Sequence, residues 1–72
     1  MKTAFEYGYE YAKAMQGTEG FDTPVNIEEI ISTTGAGGPI PSGDYAEMRR
    51  AGVDPNEREY WKGYNTFFKE VA

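Results

Sequence analysis

The chain has 72 residues, with twelve acidic and seven basic side chains, a net charge of −5, and neither cysteine nor histidine. Disulfides, zinc sites of the usual kind, thiol nucleophiles and imidazole acid–base catalysis all need residues that are missing here. A domain of this size buries only about 60% of the surface that its unfolded chain exposes, which leaves little room for a catalytic cleft. We therefore expect one domain, residues 1–72, with no enzymatic activity and no cofactor.

The first predicted element is a helix over about residues 3–16. Alternation of Tyr7, Tyr9 and Tyr11 would also fit a strand, but the surrounding alanines favour a helix. Two apolar stripes run along it side by side, one with Phe5, Gly8, Tyr9 and Ala12 and the other with Ala4, Tyr7, Tyr11 and Ala14. A helix that is apolar on two sides lies centrally or presents its second side to a partner. We predict that Glu6, Tyr7, Glu10 and Tyr11 form a partner-binding face.

The middle of the chain contains shorter elements. Asn26 and Glu29 form a capping-box pattern that predicts a short helix through Ile31, with a strand as the alternative. A glycine- and proline-rich stretch then predicts a flexible loop over about residues 33–43. It lacks the Gly-Lys-Ser/Thr ending of a phosphate loop. A third helix, about residues 44–51, would be capped by Ser42 or Asp44 and end at a left-handed Gly52.

The last predicted element is a helix that begins at Asp54, with Pro55 in its first turn and Glu57 completing a capping box. One apolar stripe follows at helical spacing, formed by Tyr60, Tyr64, Phe67, Phe68 and Val71. Trp61 lies at the edge of this stripe, and we add it to the predicted partner-binding residues.

The two terminal helices share the pattern aromatic-x-x-Gly-Tyr, at residues 5–9 and 60–64. Glycine costs about 1 kcal/mol in a helix interior relative to alanine, so its presence in both patterns suggests a compensating close approach. We predict that the helices cross near Gly8 and Gly63. The predicted fold is mainly α, with two terminal helices packed together and one or two short helices between them.

These positions resemble ribosome modulation factor and related small proteins, in which two helices carry aromatic-x-x-Gly-aromatic. The matching residues are Phe5, Gly8 and Tyr9 on the first helix and Tyr60, Gly63 and Tyr64 on the second. The resemblance implies a helix pair and, as an alternative function, association with the ribosome or RNA. The basic residues of this chain that such a factor would use are Arg49, Arg50, Arg58 and Lys62. In general character the chain also resembles small phage-encoded inhibitors.

Residues 1–31 carry two lysines against six acidic residues, whereas the remainder carries five basic and six acidic residues. Phosphate contacts need lysine and arginine, so this charge argues against direct nucleic-acid binding. Among partners, it favours a larger protein with a basic surface, such as the groove of a nucleic-acid-binding protein. Ordinary solubility charge is the alternative explanation, and a net charge of −5 fits it well. Arg49 and Arg50 also fit the ordinary placement of cations at a helix C-terminus.

The leading hypothesis is a protein-binding regulator or inhibitor, expected in the cytoplasm. A self-associating structural subunit is the third possibility. No apolar run approaches the ~18 residues of a membrane span.

Overall fold

Four helices make up the part of the chain that our computed structural model describes, which is residues 2–18, 23–34 and 40–71, without the side chains of residues 32–34. They are α1 (Ala4–Met15), α2 (Ile27–Thr34), α3 (Ser42–Ala51) and α4 (Glu57–Val71). These ranges contain no strand, so the mainly α prediction is confirmed and residues 27–31 are helical. Both neighbouring helices extend into the predicted loop over residues 33–43, whose central residues 35–39 lie outside the described ranges.

Helices α1 and α4 cross where the two glycines were predicted to meet. A Cβ atom added at Gly8 would lie 2.6 Å from the carbonyl carbon of Tyr60 and closer still to its oxygen. A Cβ atom added at Gly63 would lie 2.8 Å from the carbonyl carbon of Phe5. Each glycine thus faces the backbone of the first aromatic residue in the other helix's pattern. The predicted crossing is confirmed, and it is reciprocal.

Aromatic side chains on both sides of this crossing form most of the core. The buried members are Tyr7, Tyr60, Trp61, Tyr64, Phe67 and Phe68. Tyr9 adds an edge-to-face contact with Phe67 at a centroid distance of 5.4 Å. Aromatic pairs in this geometry contribute about 0.5–1.5 kcal/mol beyond their buried area. Such packing suits a chain of this length that lacks disulfides.

The prediction of a free tyrosine face on α1 is wrong for Tyr7, which is only 6% exposed. The physical reason is that α1 lies against α4 on one side and lines a groove with α3 on another. Tyr11 is half-buried. Trp61, also predicted to bind a partner, is 5% exposed and packs between the rings of Tyr60 and Tyr64. The second apolar stripe of α1 therefore serves mainly the protein's own core.

The start of α4 differs from the prediction. Its cap is Asn56, whose Oδ1 accepts a hydrogen bond of 3.1 Å from the backbone N–H of Glu59. The carbonyl of Asp54 instead accepts a 2.8 Å hydrogen bond from the N–H of Asn56, in the turn before the helix. The predicted capping role of Asp54 is therefore wrong, because the helix begins two residues later than expected.

The other helix ends confirm the predictions in part. Asn26 caps α2 by accepting a 3.1 Å hydrogen bond from the N–H of Glu29. Gly52 ends α3 in the left-handed conformation, with φ at 77°, as predicted. At the start of α3, Pro41 occupies the cap position, and no side-chain capping bond is found among the described residues, so capping by Ser42 or Asp44 is wrong.

Candidate partner-binding groove

A groove between α1 and α3 contains three of the residues predicted to bind a partner. Tyr7, Glu10 and Tyr11 line it from α1, together with Ala14 and with Lys2 from just before the helix. Asp44 and Glu47 line it from α3, and the groove encloses about 220 Å³. We call these seven residues the α1–α3 groove.

The groove holds an ammonium group, that of Lys2. Its Nζ lies 2.9 Å from Oε1 of Glu10 and 4.8 Å from the centroid of the Tyr7 ring. The hydrogen bond to Glu10 raises the pKa of Lys2 above its ordinary value, against an opposing effect of desolvation, and the charge of Glu47 adds to the increase. A carboxylate beside an aromatic face is a common arrangement for binding lysine and arginine side chains.

The hydroxyl of Tyr60 and the ring of Tyr11 link the groove to α4. Tyr60 donates a 2.7 Å hydrogen bond to Oδ2 of Asp44, which fixes that carboxylate at the α3 wall. The ring of Tyr11 lies 6.0 Å from that of Tyr60 and 6.1 Å from that of Tyr64. Burial raises the pKa of both Tyr11 and Tyr60, and the charge of Asp44 raises each further. Both hydroxyls are therefore neutral at physiological pH, whereas carboxylates carry charge there.

The charges of the groove are unbalanced. Glu10, Asp44 and Glu47 supply three carboxylates, and Lys2 supplies the one ammonium group among the lining residues. Glu10 and Lys2 also keep 55% and 40% of their side-chain surface exposed. The groove thus presents a negative potential to solvent together with aromatic surface, which favours a cationic side chain.

The remaining predicted contact residues lie elsewhere. Glu6 belongs to the capping box of α1, in which it accepts a hydrogen bond from the N–H of Thr3 and the Thr3 hydroxyl caps the N–H of Glu6. Arg49 and Arg50 are exposed in the last turn of α3, and Arg49 lies 6.0 Å from the ring centroid of Tyr45. None of these residues lines the α1–α3 groove.

The cations proposed for RNA contact do not form one patch of free charge. Arg49 and Arg50 end α3, where cations interact favourably with the helix dipole. Arg58 and Lys62 of α4 are each ion-paired with a glutamate. For self-association, the described surface offers little apolar area, since Val71 is the one large hydrophobic residue exposed within it.

Lys2, Asp44 and Glu47 were missed in the sequence. Asp44 and Glu47 are three residues apart and therefore share one face of α3, which was a detectable signal. Nothing in the spacing brings that face to α1, because the two helices are separated by 26 residues of chain, residues 16–41.

No family model, curated protein or solved structure matches this chain. Across residues 2–18, 23–34 and 40–71, the structure contains no group of three or more acidic side chains placed to hold a metal ion. No helix in these ranges combines the length and apolar character that a membrane crossing requires. The geometry of the groove is therefore the main guide to function.

Proposed function

We propose that this protein is a non-enzymatic regulator that binds a larger protein, and that its α1–α3 groove takes a lysine or arginine side chain from a basic surface of that partner. One observation carries the proposal: Lys2 already occupies the groove as an ammonium group, beside Glu10 and over the ring of Tyr7. An incoming cation would meet the same two groups.

Binding would be an exchange, because the partner's cation must displace Lys2. An arginine has an advantage in such an exchange, since its planar guanidinium can bond two carboxylate oxygens at once and stack on a ring. Glu47, which faces Lys2 across the groove, is available as a second carboxylate. The net charge of −5 would speed the approach of a basic partner at low salt.

A partner with such a surface is typically a nucleic-acid-binding protein, and the corresponding activity is inhibition by occupying its nucleic-acid site. This role fits a small acidic protein of the phage-inhibitor type acting in the cytoplasm. Because the cationic residues of α3 and α4 are dispersed or ion-paired, direct RNA binding has less support.

The test uses a fluorescein-labelled hexa-arginine peptide as the probe, titrated with the protein in about 0.15 M salt and followed by fluorescence anisotropy. Glu47→Gln removes one groove carboxylate, whereas the control variant Glu70→Gln removes the same charge from an exposed position in α4 that does not line the groove. We expect Glu47→Gln to weaken binding about tenfold, the worth of one charge-assisted hydrogen bond.

Glu70→Gln should change the affinity by less than about twofold, because an exposed charge outside the groove is largely screened at this salt concentration. If both variants weaken binding equally, the peptide responds to net charge alone and the groove is not the site. The same pair of variants then serves in affinity purification from a lysate, where loss of a protein partner with Glu47→Gln alone would identify the natural ligand.

A further inference from the structure

The segment that leads into α2 is bound to α4 through its backbone. Asn65 accepts a 2.8 Å hydrogen bond from the N–H of Val25 and donates a 2.9 Å hydrogen bond to the carbonyl of the same residue. A neighbouring β-strand makes the same pair of bonds to an extended chain. Because both bonds go to the backbone, Asn65 would bind any extended residue with a free N–H.

A second contact involves the side chain of the residue three positions after Val25. Arg58 donates two hydrogen bonds to the carboxylate of Glu28, the longer of them 3.0 Å. The bond to Arg58 lowers the pKa of Glu28 below its ordinary value. Both side chains are exposed, so this bidentate contact can exchange with solvent or with another carboxylate.

Trp61 lies between these two contacts. Arg58, Trp61 and Asn65 are three and four residues apart, which places them on one face of α4. Trp61 is 5% exposed, and its Nε1–H has no hydrogen-bond acceptor among the residues that the structure describes. Buried donors are almost always paired in native proteins, so an unpaired one at this position needs an explanation.

We infer that this face of α4 is a second binding site, which takes an acidic peptide that enters a helix as residues 25–28 do, from a partner protein, and that residues 25–28 occupy it as an internal substitute. The ligand offers a backbone N–H and carbonyl to Asn65, a carboxylate three residues later to Arg58, and an acceptor to the indole N–H of Trp61. The internal segment supplies the first two, which leaves the indole without an acceptor among the residues that the structure describes. The site is independent of the α1–α3 groove and has the opposite charge preference.

The experiment uses the full chain and, as the probe, a synthetic peptide with the sequence of residues 23–34. Trp61 is the one tryptophan of the chain, so its fluorescence reports directly on the site. Glu28→Gln in the protein weakens the internal substitute but leaves Arg58, Trp61 and Asn65 unchanged. We expect this variant to bind the peptide at least tenfold more tightly than the wild type does.

A peptide in which the position of Glu28 carries glutamine is the matched control, and we expect it to bind the variant protein several-fold more weakly. Val25→Pro is a second protein variant, because proline removes the N–H that Asn65 accepts. Circular dichroism confirms that each variant keeps its helices. The inference is overturned if wild type and both variants bind the peptide equally or not at all. It also fails if the glutamine peptide binds as well as the original, or if sedimentation shows that the variants dimerise by exchanging this segment.

Discussion

Replacing Gly8 with alanine tests the reciprocal helix crossing most directly. The added methyl group would lie 2.6 Å from the carbonyl carbon of Tyr60, which is backbone and cannot rotate away. The two helices would have to separate, and overpacking of this kind costs about 1–3 kcal/mol. Because the obstacle is backbone, we take about 3 kcal/mol and subtract the ~1 kcal/mol that alanine gains in a helix. The expected loss of stability is therefore about 2 kcal/mol.

Gly43 provides the matched control, since it also lies within a helix but no described atom lies within 4 Å of a Cβ added there. We expect Gly43→Ala to stabilise the protein by about 0.5–1 kcal/mol, through helix propensity alone. Urea denaturation followed by circular dichroism measures both effects. In a domain of this size 1 kcal/mol moves the melting temperature by about 4–8 °C, so Gly8→Ala should lower it by on the order of 10 °C. The reasoning is refuted if Gly8→Ala is as stable as Gly43→Ala.

The reciprocal geometry leads to a more specific prediction for the double variant. Gly63→Ala should resemble Gly8→Ala, because its new Cβ would lie 2.8 Å from the carbonyl carbon of Phe5. A single separation of α1 from α4 relieves both clashes. The loss of stability in Gly8→Ala/Gly63→Ala should therefore be clearly smaller than the sum of the two single losses. Simple additivity would mean that the two glycines do not share one crossing.

Three further predictions concern single side chains. Asn65→Ala should lower the free energy of unfolding by about 1–2 kcal/mol and accelerate hydrogen exchange of the Val25 amide, because both hydrogen bonds to Val25 are lost. An unchanged exchange rate at Val25 would contradict this contact. Asn56→Ala should lower the free energy of unfolding by about 1 kcal/mol, and Asp54→Ala should lower it by less than about 0.5 kcal/mol, both measured by urea denaturation. If Asp54→Ala has the larger effect, Asp54 is the cap. Burial and the bond to Asp44 raise the pKa of Tyr60. The stabilisation that the neutral Tyr60 hydroxyl provides is therefore complete below the ordinary tyrosine pKa of about 10, and it is lost as the pH rises towards the pKa of the folded state. Tyr60→Phe should consequently lose less stability than the wild type between about pH 9 and 11, and parallel pH profiles would count against this.

The crossing could be predicted from the sequence because its signal is local and chemical. A glycine in a helix is unfavourable on its own, and the same unfavourable choice appears in the same aromatic context at Gly8 and Gly63. Spacing then fixes which face of each helix carries the glycine. The existence of all four helices followed from similarly local patterns, with errors mainly at their starts.

The start of α4 shows why helix ends are harder to predict. Asp54 and Asn56 are both good capping residues, and Pro55 between them suits a first turn. The choice depends on which carbonyl begins the helical hydrogen bonds. In the structure that carbonyl belongs to Asn56, which accepts a 3.0 Å hydrogen bond from the N–H of Tyr60. Neither residue's identity reveals this, because the backbone path before the helix decides it.

The burial of Tyr7 could not be predicted for a different reason. Sequence periodicity shows that α1 has two apolar stripes but not what covers the second one. On that side α1 lines a groove with α3, whose pattern is weak because Met48 is its one buried residue among those described. The α3 wall of the α1–α3 groove was therefore missed together with the burial of Tyr7. Glu10 and Tyr11 were placed on the right helix but without their partners across the groove.

The two proposed binding sites share a structural principle. The glycine crossing holds α1 and α4 together by close backbone approach. The segment leading into α2 and helix α3 make polar contacts with this pair, such as Asn65 with Val25 and Tyr60 with Asp44. Each proposed site lies where one of these attached helices meets the pair. Polar groups left unsatisfied at such places would destabilise a domain of 72 residues. Internal substitutes remove that penalty. The net affinity of a partner therefore depends on how much more strongly the partner binds than the internal group that it displaces.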